Sequence, residues 1–252
     1  MDIDISQLEY LSVMLLASLS VISTIVGVGL AYYFRKSVWG VVVGIGFSTG
    51  IMLLISFFEL IPEAIDIAGW GKSLLALFLG LFFIWLLNIV IPHTHLIEEK
   101  SVKNRTLVKT AYLIVFGLIL HDFPEGFAMA NSYIHSPSLG LLVAIAIALH
   151  NIPEEFAMTV PLLLTDKKNL ILKVATLSAL AEPVGAIIGL LAVGFVPSLN
   201  PFFMAFAAGA MIFVSLHELL PMAERYKKKS LFVLGIVLSV IIYLGLNMLI
   251  ST

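Results

Sequence analysis

The sequence has 252 residues, of which 60% are hydrophobic and 12% are charged, and its mean hydropathy is +1.09. A soluble domain carries about 25% charged residues, so this composition excludes an ordinary soluble fold and predicts an integral membrane protein. The formal net charge of −2 argues against a nucleic-acid partner, and the lack of cysteine excludes disulfides, thiolate metal sites and cysteine nucleophiles.

Eight long apolar segments follow one another along the chain, and we call them spans 1 to 8. A bilayer core about 30 Å thick needs roughly 20 apolar residues per helix, which each segment supplies. We therefore predict an all-α, polytopic fold with a single transmembrane domain over residues 1–252. The spans are predicted at 11–34, 38–61, 70–91, 107–131, 138–164, 170–196, 200–220 and 230–250.

The positively charged residues predict the orientation of the spans. Every lysine and arginine except Lys72 falls on one side of the predicted membrane, in or beside the connections that follow spans 1, 3, 5 and 7. Cytoplasmic loops carry the excess of these residues, so that side is predicted to be cytoplasmic. The short loop at 92–106 then faces the cytoplasm and both termini face outside, in a multi-pass protein of the cell (inner) membrane.

Two pairs of segments resemble each other. Residues 46–64 in span 2 and 205–223 in span 7 match at eight of nineteen positions, and "LHDFPEGFAMA" at 120–130 returns as "LHNIPEEFAMT" at 149–159. The members of each pair cross the predicted membrane in opposite directions. We therefore predict inverted repeats that relate spans 1–3 to spans 6–8 and span 4 to span 5. Such repeats, with a site near the midplane, are typical of many secondary transporters.

The repeated motif places a histidine four residues before a glutamate. His121 and Glu125 have this spacing, and so do His150 and Glu154. On an α-helix that spacing leaves the two side chains about 40° apart and about 6 Å along the axis, on one face. Each pair can therefore hold one metal ion between an imidazole and a carboxylate.

Further polar residues lie at the same predicted depth. Asp122 and Asn151 follow the two histidines, and Glu182 lies at the centre of span 6. Each buried carboxylate costs about 2.5–3.5 kcal/mol on insertion scales. Two divalent cations would neutralise the four negative charges of Asp122, Glu125, Glu154 and Glu182. The alternative is a structural hydrogen-bond network between helices, but four acids and two histidines at one depth favour a metal site.

The ligand types narrow the choice of ion. Imidazole together with carboxylate favours Zn²⁺ and leaves Fe²⁺, Mn²⁺, Co²⁺ and Cd²⁺ open, whereas Mg²⁺ and Ca²⁺ prefer pure oxygen sites. We predict up to two such ions at this site and no cofactor.

On these residues the sequence resembles the ZIP (Zrt-, Irt-like protein) family of divalent-metal transporters, and in particular its bacterial ZupT-type zinc uptake proteins. The resemblance covers nearly the whole chain and is carried by H-x-F-P-E-G in span 4, H-N-I-P-E in span 5 and A-E-P in span 6. It implies metal uptake into the cytoplasm by alternating access through a central binuclear site, and it is compatible with a homodimer. The ligands implied for one metal position are Glu125, His150 and Glu154, with His121 and Met52 as further candidates. Those implied for the other are Asp122, Glu125, Asn151, Glu154 and Glu182.

Two residues depart from the pattern of that family. Asp122 stands where the family usually has asparagine, and Glu155 stands where it usually has glycine. An extra carboxylate at position 122 could tighten binding or shift selectivity. Glu155 points about 100° away from Glu154 on the helix, so it faces either a neighbouring helix, a polar cavity or the metal.

Polar residues near two span ends are weaker candidates. Glu59 lies near the outer end of span 2, and His217 and Glu218 lie near the inner end of span 7. The repeat makes them candidate pathway ligands, at the entrance and the exit respectively, and the alternative is that they are polar caps of helix ends.

Three loop histidines complete the set. His93 and His95 in the loop at 92–106 either receive released metal or are solvated, and His135 between spans 4 and 5 is interpreted as solvated.

The rival function is an intramembrane metalloenzyme, a hydrolase or a di-iron oxidase, that uses the same cluster. "HELLP" at 217–221 begins like the zincin motif H-E-x-x-H, but Pro221 replaces the second histidine. Di-iron bundles use Glu-x-x-His, whereas the order here is His-x-x-x-Glu. We therefore predict a transporter and no enzyme activity.

Overall fold

A computed structural model describes residues 6–34, 36–90, 122–163 and 168–250, and within these ranges it leaves out the side chains of residues 90, 161, 162 and 168–170. All regular structure in these ranges is helical, and they contain no β-strand. The predicted all-α class is therefore confirmed for the part of the chain that the structure describes.

Seven helical segments in the described ranges are long and apolar enough to cross a membrane. Span 4 lies partly outside those ranges, and its described part is the helix at 122–135, which we call α5. The other helices are α1 (Gln7–Phe34), α2 (Val38–Leu54), α3 (Ile61–Ala68), α4 (Trp70–Val90), α6 (Pro137–Leu163), α7 (Lys168–Phe195), α8 (Asn200–Val214), α9 (Leu220–Arg225) and α10 (Lys229–Ile250), with a short 3₁₀ turn at Pro197–Leu199.

Local chemistry accounts for the ends of the helices in span 2. The Oγ of Ser37 accepts a hydrogen bond from the backbone N–H of Gly40 at 3.1 Å and so caps the start of α2. Beyond α3, Gly69 has a φ of 79°, in the left-handed region that glycine adopts without strain. The chain reverses there into α4, and the Ser73 hydroxyl donates to the carbonyl oxygen of Ala64 at 2.8 Å across the turn.

Spans 2 and 7 share an unusual local structure. In each, an α-helix passes into a π-helical segment, Ile55–Leu60 in span 2 and Ser215–Leu219 in span 7, and then into a short second α-helix. The second residue of that short helix is a proline in both cases, Pro62 in α3 and Pro221 in α9. Because π-helical segments are rare, their occurrence at matched positions supports the repeat seen in the sequence.

The segment Val38–Ala68, which comprises α2, the first π-helical segment and α3, lies in the interior of the bundle. In its most apolar window 72% of the residues are buried, compared with 17% in α10. α10 packs along α2, α4 packs along α8, and α1 packs along α6. The outer faces of α1, α4 and α10 carry exposed leucine, isoleucine and aromatic side chains, which suit the hydrocarbon of a bilayer.

Glycines allow close helix contacts at two matched places. Gly27 in α1 lies against the carbonyl oxygen of Ile152 in α6, and Gly185 in α7 lies against the carbonyl oxygen of Phe123 in α5. A side chain at either glycine would collide with that carbonyl, so a small residue is required. Phe123 and Ile152 are equivalent residues of the repeated motif. The α1–α6 contact is therefore repeated as the α7–α5 contact.

Candidate metal centre

Three side chains of the repeated motif converge in the interior. Glu125 of α5 and His150 and Glu154 of α6 each offer one ligand atom, and these atoms all lie within 4.8 Å of one another. The Nε2 of His150 lies 3.1 Å from Oε1 of Glu125 and 3.9 Å from Oε2 of Glu154. All three residues are buried. α5 and α6 thus place His150, from the second copy of the motif, beside the glutamate of each copy, Glu125 and Glu154.

A backbone contact sets the orientation of the His150 ring. Its Nδ1 lies 3.0 Å from the carbonyl oxygen of Ala146, one turn earlier in α6. A carbonyl oxygen can only accept, so Nδ1 carries the hydrogen, and Nε2 is the ring nitrogen left to share a proton or a cation with Glu125 and Glu154. A lone pair facing carboxylates requires a proton or a cation between them. This arrangement is that of a metal-binding histidine whose other nitrogen is held by a hydrogen bond.

The backbone around His150 is also held from outside α6. The Ser48 hydroxyl in α2 donates to the carbonyl oxygen of His150 at 2.8 Å, and the Ser23 hydroxyl in α1 donates to that of Ala148 at 2.7 Å. Both serines are buried. α6 is therefore fixed on two sides at the level of the centre.

Asn151 and Glu182 lie beside these three residues. The Nδ2 of Asn151 donates to Oε2 of Glu182 at 3.1 Å, which joins α6 to α7. Both side chains are buried, and Oδ1 of Asn151 has no hydrogen-bond partner among the described residues. A buried acceptor in that condition requires a donor, a water molecule or a cation.

The charge of the region is strongly negative. The stretches 122–163 and 174–224 contain buried glutamates but no lysine or arginine at all. Buried carboxylates must be protonated, paired or bound to metal, because an isolated charge in a medium of low polarity is very costly. The donor set of imidazole, carboxylate and carboxamide groups fits a divalent transition-metal ion.

Asp122 and Glu155, the two residues that depart from the family pattern, both hydrogen-bond to the same serine. The Ser178 hydroxyl in α7 lies 2.6 Å from Oδ2 of Asp122 and also hydrogen-bonds to Oε1 of Glu155. Thr24 of α1 donates to the same oxygen of Glu155 at 3.2 Å. The structure thus places Glu155 in a polar cluster between α1 and α7, with Asp122 in the same cluster. The sequence analysis missed Ser178 and Thr24, although Ser178 precedes Glu182 by one turn of α7.

The structure places the remaining candidates in different surroundings. Met52 is fully buried, and its sulfur accepts a hydrogen bond from the Ser215 hydroxyl at 3.5 Å. His217 is exposed, and its ring lies against that of Phe213 at a centroid distance of 4.8 Å. His121, His93 and His95 lie outside the described residues.

Glu59 and Glu218 each accept a hydrogen bond from an asparagine. The Nδ2 of Asn247 in α10 donates to Oε1 of Glu59 at 3.0 Å, and the Tyr243 hydroxyl donates to the same oxygen. The Nδ2 of Asn88 in α4 donates to Oε1 of Glu218 at 3.4 Å. Both glutamates lie in π-helical segments.

A buried histidine and carboxylate cluster inside a bundle of apolar helices defines a multi-pass membrane protein with an intramembrane site suited to a metal ion. Comparisons with known proteins identify the family. The sequence profile of the family described as "ZIP Zinc transporter" matches residues 91–251. The chain belongs to this ZIP zinc transporter family.

Several curated relatives span most of the chain. The "Zinc transporter ZupT" of Corynebacterium aurimucosum is 37% identical over 212 residues, which cover 77% of this chain and 79% of that protein. The protein of the same name from Streptococcus mutans is 36% identical, with 79% and 82% covered. That of Chlorobium luteolum is 32% identical, with 97% and 99% covered. These relatives are named as transporters, which favours the transporter hypothesis over the metalloenzyme.

Proposed function

We propose that the protein carries Zn²⁺ across the membrane into the cytoplasm, with Fe²⁺, Mn²⁺, Co²⁺ and Cd²⁺ as further candidate substrates. The observation that carries this proposal is the buried His150 ring, whose Nε2 is held toward Glu125 and Glu154 by the hydrogen bond from Nδ1 to Ala146. The relatives that are named zinc transporters support zinc as the principal substrate. The metal is cargo, so the protein needs no resident cofactor.

The proposed centre holds up to two ions. Glu125, His150 and Glu154 bind the first ion, and their mutual approach within 4.8 Å supports this assignment. Asn151 and Glu182, with Asp122, bind the second beside it, and Glu125 and Glu154 bridge the two positions. His121 and Met52 are further proposed ligands of the first ion, by resemblance to the family.

The proposed topology has eight spans in inverted repeats, with both termini outside, in the cell (inner) membrane. The matched π-helical segments and the matched glycine contacts at Gly27 and Gly185 support the repeats. The chain has no cysteine, so single cysteines can test the orientation. A membrane-impermeant maleimide applied to intact cells should label Ser138→Cys and spare Lys227→Cys. The reverse pattern would contradict the proposed orientation.

Transport is proposed to proceed by alternating access between two sets of helices. α1, α5, α6 and α7 carry or flank the centre, whereas α2, α4, α8 and α10 pack together in pairs. Among the described residues, polar contacts that join the sets include the bond from Ser48 to His150 and that from Asn200 Nδ2 to the carbonyl oxygen of Asn131 at 3.2 Å. In the proposed mechanism the first set slides against the second.

Pathway residues are proposed at both ends of the route. Glu59 on the outer side, and His217 and Glu218 on the inner side, contact the ion as it enters and leaves. The matched positions of Glu59 and Glu218 in the repeats support the assignment of these two residues. His93 and His95 receive ions on the cytoplasmic side. A homodimer is part of the same proposal and can be checked by the mass of the purified protein in detergent.

The function is tested with purified protein in liposomes loaded with a zinc indicator. Saturable Zn²⁺ influx, above that of empty liposomes and reduced by competing Cd²⁺ or Co²⁺, is the expected result. Influx equal to that of empty liposomes, in liposomes shown to contain folded protein, would contradict the proposal.

A further inference from the structure

A second histidine and carboxylate pair lies away from the metal centre. His135 is the last residue of α5, and its Nε2 lies 2.5 Å from Oε1 of Glu63 in α3. We propose that His135 and Glu63 form a capture site for a hydrated divalent transition-metal ion at the outer mouth of the path to the centre. This inference rests on the proposed function and orientation, which place the end of α5 outside.

The pair offers a metal ion the same donor types as the centre, an imidazole nitrogen and a carboxylate oxygen. The side chains of His135 and Glu63 are 29% and 38% exposed, whereas those of His150 and Glu125 are fully buried. Water can therefore complete the coordination at His135 and Glu63, and an ion can bind there before it loses most of its hydration. A site with so few protein ligands binds its ion weakly. Weak binding suits a site that must release the ion toward the centre.

Without metal, a hydrogen joins the two side chains. The separation of 2.5 Å between Nε2 and Oε1 is that of a short hydrogen bond. An arriving ion takes the place of this proton, which passes to water, and binds the freed nitrogen lone pair and the carboxylate oxygen. Metal binding to histidine releases a proton in this way whenever the ring nitrogen starts out protonated.

A buried hydroxyl lies between the pair and the centre. Ser132 follows Glu125 by seven residues, so the two side chains leave α5 within about 20° of each other and about 10 Å apart along its axis. Ser132 is fully buried, and its Oγ has no hydrogen-bond partner among the residues that the structure describes. A buried hydroxyl in that condition requires a ligand or a water molecule. Since His135 lies one turn beyond Ser132, α5 carries polar groups from its exposed end to the centre.

The alternative role of the pair is structural, as a link that fastens α5 to α3. The substitution His135→Lys separates the two roles. A lysine can still donate a hydrogen bond to Glu63, but its ammonium nitrogen has no free lone pair at neutral pH and is a poor ligand for Zn²⁺. A structural link survives this change, whereas a capture site does not.

Uptake kinetics of the full-length protein in liposomes give the first test. His135→Lys and Glu63→Gln should each raise the half-saturating Zn²⁺ concentration by about tenfold, as loss of a metal contact does. The rate at saturating Zn²⁺ should fall much less, because the centre is intact. Ser138→Ala is the matched control, since among the described residues its exposed hydroxyl hydrogen-bonds to that of Ser136 at 2.9 Å. A half-saturating concentration for His135→Lys equal to that of wild type would overturn the proposal.

Direct binding gives a test that does not depend on transport. In the full-length Glu154→Ala variant, where the centre is weakened, Co²⁺ absorption should report a site at His135 and Glu63 in addition to any binding by the other histidines. Adding His135→Lys should remove one equivalent of bound Co²⁺ from the titration. An unchanged Co²⁺ titration would contradict the capture site even if transport proceeds. Absence of transport by the wild-type protein would instead contradict the proposed function. The Co²⁺ titration would still show whether His135 and Glu63 bind metal.

Discussion

Asn247 donates a hydrogen bond from its Nδ2 to Oε1 of Glu59 at 3.0 Å, and Asn88 makes the same bond to Glu218 at 3.4 Å. Glu218 follows Glu59 by 159 positions, and Asn247 follows Asn88 by the same number. Each bond therefore joins one copy of the repeat to the other, with the roles exchanged. Reciprocal contacts of this kind are what a twofold relation between two copies produces.

Loss of either asparagine should destabilise the protein. Asn88→Leu removes a donor to Glu218 and should cost about 1–3 kcal/mol, the usual effect of depriving a partly buried acceptor of a partner. Asn247→Leu should also destabilise the protein, although the Tyr243 hydroxyl still donates to Glu59. Thermal unfolding followed by tryptophan fluorescence measures both effects. Gly245→Ala is the control, since an added Cβ there meets nothing within 4 Å. Wild-type melting temperatures in both asparagine variants would contradict the expectation.

Gly126 should tolerate no side chain. A Cβ at this position would overlap the carbonyl oxygen of Glu182 and force α5 away from α7. Displacing Glu125 from the centre by even about 1 Å should reduce uptake by roughly a hundredfold, as small misplacements of reacting groups do. The measurement is Zn²⁺ influx of Gly126→Ala in liposomes.

Gly29→Ala provides the matched control for Gly126→Ala. An added Cβ at Gly29 in α1 meets nothing within 4 Å, and alanine stabilises a helix interior by about 0.5–1 kcal/mol relative to glycine. Its influx should equal that of wild type. Equal influx in both glycine variants would show that the close contact of α5 with α7 does not position the centre.

Asp122 should influence the choice of metal rather than the presence of transport. Asp122→Asn removes one negative charge but can still hydrogen-bond to Ser178, which lies 2.6 Å from Oδ2. We expect uptake to persist and the preference for Zn²⁺ over Cd²⁺ to change by about threefold, or about 0.6 kcal/mol. The preference is measured as the inhibition of Zn²⁺ influx by increasing concentrations of Cd²⁺. Asp66→Asn on α3 is the charge-matched control. Superimposable competition curves for wild type and Asp122→Asn would refute the expectation.

The sequence was sufficient to predict the helical class, and it predicted that the two copies of the motif approach each other. Composition and the lengths of the apolar segments predicted the class, and the spacing of His150 and Glu154 placed them on one face of α6. The repeat between 120–130 and 149–159 predicted that the two motifs lie together, and the structure does place Glu125 beside His150 at 3.1 Å.

Contacts between helices could not be predicted in the same way. Spacing along a chain shows which residues share a face of one helix, but it does not show which helix that face meets. For this reason the partners of Glu155 in α1 and α7, Thr24 and Ser178, became visible only in the structure. The pairing of His135 with Glu63 was missed for the same reason, and His135 was interpreted as solvated.

Zinc influx in liposomes by variants of the centre tests the central claim most directly. His150→Ala removes the nitrogen that faces Glu125, and Glu154→Ala removes one of the carboxylates. The control is Leu149→Ala, the neighbour of His150 that lies on an exposed part of α6. We predict that each of the first two variants lowers influx at least about tenfold, as loss of a group that holds a metal does, while Leu149→Ala keeps it. Full influx in both His150→Ala and Glu154→Ala would contradict the account.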